Sequence, residues 1–218
     1  MNTQIEENYL KALYHISLHN EGGKISVNEL SRHLNIKMPT VNSMMKKLSE
    51  KGYVTYVSYK PIKLTPTGKL TAALIVRKHR LIEMFLVQEM GFGWEEVHDI
   101  AEQMEHIQSP KFFEKIDELL HYPKFDPHGS PIPDADGQVV SLNAVQLSEC
   151  APGRTVRLVG VRDSSEEFLQ YLTGKHIKIG TKIKITGKED FDGTMYCEIG
   201  KAAQLVFSKI IADKLLVE

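Results

Sequence analysis

Six side chains able to hold a metal ion recur at helical spacing between His79 and His106, so this stretch reads as two helices whose ligand faces could close on one region. His79 and Glu83 are one turn apart. His98, Glu102, Glu105 and His106 fall within about 100° of one face of a later helix, so their side chains can converge. Imidazole and carboxylate without thiolate suit a borderline or hard divalent ion such as Mn(II), Fe(II) or Zn(II). The pattern predicts a long helix from about Lys69 to Met90, a break at Gly91-Phe92-Gly93, a helix over Trp94–Met104 and another over Pro110–Leu120. Leu70, Leu74, Leu81 and Phe85 give the long helix a broad apolar face. A symmetric homodimer is the natural way to bury it.

The segment before these helices is basic. Residues 1–80 carry a net charge of +8, residues 81–140 carry −10 and residues 141–218 carry +1, which together give the overall −1. A basic head suits phosphate binding and an acidic middle suits cations. Ile5, Tyr9, Ala12, Leu13 and Ile16 make one apolar stripe, so residues 5–19 read as a helix that Gly22-Gly23 stops. Ser26 with Glu29 predicts a capping box, and Asn35-Ile36-Lys37 predicts a turn. Met38-Pro39-Thr40 opens a helix to about Lys51, with Thr40, Asn42, Ser43, Lys46 and Lys47 on its polar face. The alternating tract Tyr53–Leu64, broken at Lys60-Pro61, reads as a hairpin. Together these read as a winged helix-turn-helix; the alternative is a small helical domain with a protein partner, and the basic excess and exposed polar helix start favour double-stranded DNA, expected to be operator DNA. Pro39, Thr40, Asn42 and Ser43 stand at the helix start that meets base edges, while Lys46, Lys47 and Lys60 suit phosphates.

With these motifs in hand, the chain resembles the diphtheria toxin repressor family of metal-dependent transcriptional regulators. The resemblance rests on ENYLKALY (7–14), MPTVNSMMKKLSEKGYV (38–54), LTPTGK (64–69), RKHRLIEMFL (77–86), HDIAEQMEH (98–106), DPHGSPIP (126–133) and a C-terminal stretch from LSECAPGR onward. It implies a mainly α chain with a β C-terminal domain. Residues 1–70 would form the winged helix, 71–125 the helical metal-binding and dimerisation domain, 126–144 a linker and 145–218 a small SH3-like β-barrel of the kind also found in ferrous-iron transport accessory proteins. It implies a primary metal site of Glu102, Glu105, His106 and Asn8. It further implies a second site of His79, Glu83, His98, His128, Asp163 and Asp126, with Glu166 and Glu167 as alternatives to Asp163. Asn8 offers only a neutral carbonyl where many relatives carry Asp or Met. Lys11 stands where manganese-type relatives can carry an acidic residue, which argues against a binuclear cluster. The expected effector is Mn(II) or Fe(II), with Zn(II) able to substitute in vitro. The expected role is repression that controls metal-ion homeostasis.

The remaining residues add less. The C-terminal region shows β-like runs at Thr155–Val161, His176–Ile179, Lys182–Gly187, Thr194–Ile199 and Gln204–Phe207, with a helix over Asp163–Leu172. Asp163 equally suits a helix cap. His15, His19, His33, His121 and His176 read as surface residues. Cys150 and Cys197 lack metal or redox spacing and read as free buried thiols. No apolar run is long enough for a membrane span and the N-terminus lacks signal-peptide features, so the expected location is cytoplasmic. A metalloenzyme using the same His/Glu set is the alternative, but no HExxH motif or evident nucleophile supports turnover.

Overall fold

The structure, a computed structural model, describes residues 2–200 and 204–218. Helix α1 (Gln4–His19) starts in a capping box in which Thr3 accepts from the Glu6 amide and Glu6 reaches back to the Thr3 amide. Tyr9, Leu10, Ala12, Leu13, Tyr14 and Ile16 face inward. Helix α2 (Val27–Leu34) carries the Ser26–Glu29 capping box and ends at Asn35, whose φ of 53° turns the chain. Helix α3 (Met38–Glu50) buries Val41, Met45 and Leu48, one per turn, and leaves its opposite face to solvent.

The hairpin expected across Tyr53–Leu64 shrinks to strands β1 (Val54–Thr55) and β2 (Lys63–Leu64), paired Val54 to Leu64 and Thr55 to Lys63. Pro61 brings no N–H to a ladder, and Tyr59 has a φ of 66°, so the chain between them forms a loop. Ile62 pairs instead with Ile25, which ties this wing to the helices.

Helix α4 (Pro66–Gln88) begins three residues before the expected Lys69, because the Thr65 side chain accepts from the Gly68 amide and Pro66 fits the first turn. It carries the winged helix into the middle of the molecule without a break. The helix expected at Trp94–Met104 is shorter: α5 spans His98–Met104. Trp94–Val97 lie outside it, and the Trp94 carbonyl accepts from His128 Nε2 at 2.8 Å. Helix α6 (Pro110–Leu119) is capped by Ser109. The middle cores are small, one built on Ile82, Leu86, Val97, Ala101 and Phe113.

The third domain is an antiparallel sheet ordered β3-β8-β4-β5-β6-β7. Its strands are β3 (Val145–Gln146), β4 (Thr155–Val161), β5 (Lys182–Lys188), β6 (Met195–Glu198), β7 (Leu205–Phe207) and β8 (Leu215–Val217). Helix α7 (Glu166–Thr173) crosses it, and a short α8 (Lys209–Ala212) precedes β8. Leu158, Leu172, Ile183, Ile185, Met195 and Phe207 are among its buried residues. Two expectations need correction. Residues 176–179 are not a strand: His176 has a φ of 57° and the Ile177 amide returns to the Leu172 carbonyl, wrapping the end of α7. The helix begins at Glu166 and leaves Asp163 outside it. β3 and β8 were not anticipated, yet β8 lies between β3 and β4.

The linker is partly folded. Phe125 pairs with Pro131, and Asp126 and His128 are buried. Arg77 donates to the Pro133 carbonyl at 2.7 Å and Arg80 donates to the Pro131 carbonyl, holding this turn on α4.

Candidate metal centre

The ligand candidates form one continuous chain of contacts rather than two separate clusters. At one end, from α1, Glu7 Oε2 accepts from His106 Nδ1 at 2.6 Å. That leaves His106 Nε2 facing Glu105 Oε1 at 3.7 Å. Next, Glu105 Oε2 accepts from His79 Nδ1 at 2.6 Å, and His79 Nε2 donates to Glu83 Oε1 at 3.0 Å. His98 lies beside both, its Nδ1 3.4 Å from Glu83 Oε1. At the far end His128 Nδ1 lies 3.8 Å from Glu83 Oε2. Three sets can each place donor atoms within 4.8 Å of one another: His79, Glu83 and His98; His79, Glu102 and Glu105; and Glu83, Asp126 and His128. His79 and Glu83 therefore belong to more than one set. An open cleft between α1, α4, α5 and the third domain runs along this chain.

Helical spacing explains the convergence. His79 and Glu83 are i,i+4 on α4, and His98 and Glu102 are i,i+4 on α5. The DPHG turn adds Asp126 and His128, whose backbone is fixed because Asp126 Oδ1 accepts from the amides of His128 and Ser130 at 2.8 and 2.9 Å. A carbonyl only accepts, so His128 Nε2 carries the proton it donates to Trp94, and Nδ1 is the ring nitrogen that faces Glu83.

The electrostatics are those of carboxylates held together by cations. Burial pushes the Glu83 carboxyl up, but His79 and His98 beside it hold it well below the usual range. Burial works against a charged His79, yet Glu105 and Glu83 raise it to about 9. Burial and the neighbouring Glu83 charge raise Asp126. Burial also raises Glu102, which the Lys11 ammonium outweighs to leave it lowered.

The residues fit a divalent cation. The donors are oxygen and imidazole nitrogen; Cys150 and Cys197 are both buried in the third-domain core. Asn8 Oδ1 is a buried acceptor without a partner, which is costly until a cation or donor reaches it. Asp163 stands apart from the three sets. Its Oδ2 pairs with Lys214 Nζ at 2.5 Å and its Oδ1 accepts from the Ser165 amide at 2.9 Å. It shares a second cleft with His98, Glu95 and Glu96.

Two contacting residues escaped the sequence reading. Glu7 had been unremarked in the first helical turn, although it lies next to Asn8 and would orient His106. Lys11 was read only as a missing acid, whereas its ammonium lies 2.6 Å from Glu102 Oε1 and 2.7 Å from Glu105 Oε1. For Glu7 the available signal was a charge beside Asn8 in the apolar N-terminal helix.

On the other side of α1, the α3 face is open. Pro39, Thr40, Ser43, Lys46 and Lys47 are exposed. Asn42 is half-buried and accepts from the Tyr56 hydroxyl at 2.9 Å, so the wing braces it. Lys47 also reaches Glu6 Oε1 at 3.1 Å. Lys60 is exposed in the wing beside the fully exposed Tyr59.

This architecture has matches among known proteins. Residues 1–62 match the iron dependent repressor N-terminal DNA binding domain, residues 65–134 the iron dependent repressor metal binding and dimerisation domain, and residues 145–218 the FeoA domain. The iron-dependent repressor IdeR of Mycobacterium leprae is 30% identical over 188 residues, covering 83% of this chain and 78% of its own length. The chain belongs to the diphtheria toxin repressor family. The diphtheria toxin repressor of Corynebacterium diphtheriae is itself 27% identical over 195 residues, 84% of each chain. Among solved structures, a manganese-dependent transcriptional repressor in complex with manganese is 33% identical with a TM-score of 0.84, covering 97% of this chain and 98% of its own. The ScaR structure with bound Cd2+ is also 33% identical, with a TM-score of 0.78 and 98% coverage of both chains. This member of the diphtheria toxin repressor family is therefore a metal-dependent transcriptional repressor that binds divalent metal, and not an enzyme. No helix among the described residues is long and apolar enough to cross a membrane.

Proposed function

We propose that the chain is a cytoplasmic Mn(II)- or Fe(II)-responsive repressor that binds operator DNA as a homodimer and controls metal-ion homeostasis. The observation that carries this reading is the meeting of α1 with α5 at the centre. Glu7 of α1 touches His106, and the unpartnered Asn8 Oδ1 lies one residue away. A bound divalent cation supplies concentrated positive charge that carboxylates of α5 and the carbonyl of Asn8 can share. Glu102, Glu105, His106 and Asn8 make the primary site of this reading. His79, Glu83, His98, His128 and Asp126 make the second, with Asp163 joining only if it leaves Lys214.

The chain's own residues then do the rest. Asn8 draws the start of α1 toward α5, and α1 packs on α2 and α4 of the winged helix. The seat of α1 thereby sets the attitude of α3. Thr40 and Ser43 at its N-terminal end face base edges, and Lys46 and Lys60 meet phosphates. Met90, Leu119 and Tyr122 remain exposed on the middle helices of one chain, apolar surface suited to a second copy. A donor set of oxygen and imidazole nitrogen without thiolate accepts Mn(II) and Fe(II), the two candidate effectors, and Zn(II) can substitute in vitro.

The deciding measurement is operator binding titrated with Mn(II), Fe(II) and Zn(II), using a genomic fragment upstream of metal-transport genes. Mn(II) is expected to tighten binding at least tenfold over chelator. Equal affinity with chelator and with saturating Mn(II) rejects metal activation.

A further inference from the structure

We infer that Lys11 is a tethered cation that holds the primary-site carboxylates before metal arrives and so sets the metal concentration at which this repressor responds. The inference rests on the reading of Glu102 and Glu105 as metal ligands given above.

The geometry is that of an ammonium fully engaged by carboxylates. Lys11 Nζ lies 2.6 Å from Glu102 Oε1, 2.7 Å from Glu105 Oε1 and 2.9 Å from Glu105 Oε2. Three contacts match the three donors of an ammonium. The pair is sheltered from water, with Lys11 at 11% and Glu105 at 0% side-chain exposure. Screening of the Lys11–Glu105 pair is therefore weak, and one of the two carboxylate charges is offset by a charge that belongs to the same chain. Position 11 is one turn beyond Asn8 and Glu7 on α1, so the amine enters from the helix that carries the rest of this end of the centre.

A second cation cannot simply join this arrangement. Any ion taking Glu102 and Glu105 together would meet Glu105, both of whose oxygen atoms the ammonium touches, and two like charges in a buried site repel strongly. The amine must leave for the ion to enter. The open cleft beside Lys11, Asn8 and Glu102 gives its flexible stem somewhere to go. Metal affinity is thus reduced by the cost of breaking the Lys11 contacts. A weakly bound, abundant cation fails to meet that cost, whereas an ion that gains His106 and Asn8 as well meets it. Until an ion arrives, Lys11 offsets one of the two carboxylate charges from its place one turn beyond Asn8 on α1.

The test compares wild type, Lys11→Met and Lys11→Arg. Mn(II) binding is measured by isothermal titration calorimetry and by counting free Mn(II) in electron paramagnetic resonance. Thermal melts in chelator are recorded alongside. Met keeps the length of the stem without the charge, and is expected to tighten Mn(II) binding at least tenfold while lowering the apo melting temperature. Arg keeps the charge and is expected to bind Mn(II) no more tightly than wild type. A Lys11→Met affinity within twofold of wild type overturns the inference, even if the apo melt falls, because a purely structural contact gives that result. Tighter binding by Lys11→Arg also overturns it. If wild type takes up no Mn(II) at all, the metal reading of the centre itself fails, and the inference with it.

Discussion

Glu6 carries a charge with almost no access to solvent, at 0% exposure. Burial alone would raise its carboxyl, but contacts with Lys51, the Thr3 amide and Lys47 outweigh burial and lower it from 4.5 to about 2. A carboxyl depressed by folding stabilises the folded state above its unfolded value, and that contribution fades as pH falls through the folded value. The winged helix should therefore lose stability between about pH 4.5 and 2. Glu6→Gln should flatten that dependence and cost about 1–3 kcal/mol at neutral pH, the usual scale for a charged hydrogen bond. Urea melts of both proteins across the acid range check this. Parallel pH profiles would rule Glu6 out as the titrating group. The same residue shows what the sequence hides. His79, Glu83, His98, Glu102, Glu105 and His106 were legible because helical periodicity is local. The pairing of Lys11 with Glu102 and of Glu7 with His106 spans 91 and 99 positions, and no periodicity reports contacts so remote.

Helices were read to within a few residues wherever a cap was present, as at Ser26 and Ser109, because a cap is written in adjacent residues. Trp94–Val97 lie outside α5, and the contact of the Trp94 carbonyl with His128 joins residues 34 positions apart, which no local pattern reports. The short strands β3 and β8 carried too few residues to alternate visibly. The DPHG turn is the element on which a substitution should tell most. Gly129 has a φ of 84°, and a Cβ there would lie 2.1 Å from the Val159 carbonyl oxygen and 2.4 Å from Gly160 Cα. The turn and β4 meet backbone to backbone, and the Val161 amide donates to the His128 carbonyl at 3.0 Å. Gly129→Ala should cost about 1–3 kcal/mol through overpacking, in addition to the strain of a positive φ. Gly153→Ala is the control, because φ there is 86° but nothing lies within 4 Å of the added atom. Chemical denaturation that finds the two variants equally destabilised would show that crowding against β4 contributes nothing.

Across the whole molecule, Trp94 links the centre to the third domain. Its indole N–H donates to Thr173 Oγ1 at 2.8 Å, and its carbonyl accepts from His128, whose ring stacks on the indole at 6.1 Å. It is the single tryptophan of the chain. Mn(II) that engages Glu83 and His128 should therefore change its emission in wild type and leave it unchanged in Glu83→Gln. Identical titration curves for the two proteins would disconnect Trp94 from the second site. The stapling of the linker onto α4 by Arg77 and Arg80 has a further result for this domain. The turn from Asp134 to Gln138 is also closed by hydrogen bonds, which leaves residues 139–144 as the slack. Six residues reach about 20–22 Å when fully extended. An undocked third domain would thus remain beside its seat at an effective concentration on the order of millimolar. An interface of a few hydrogen bonds, too weak to join two separate proteins, is enough to hold this one closed, and losing or gaining a single contact is enough to change how often it opens.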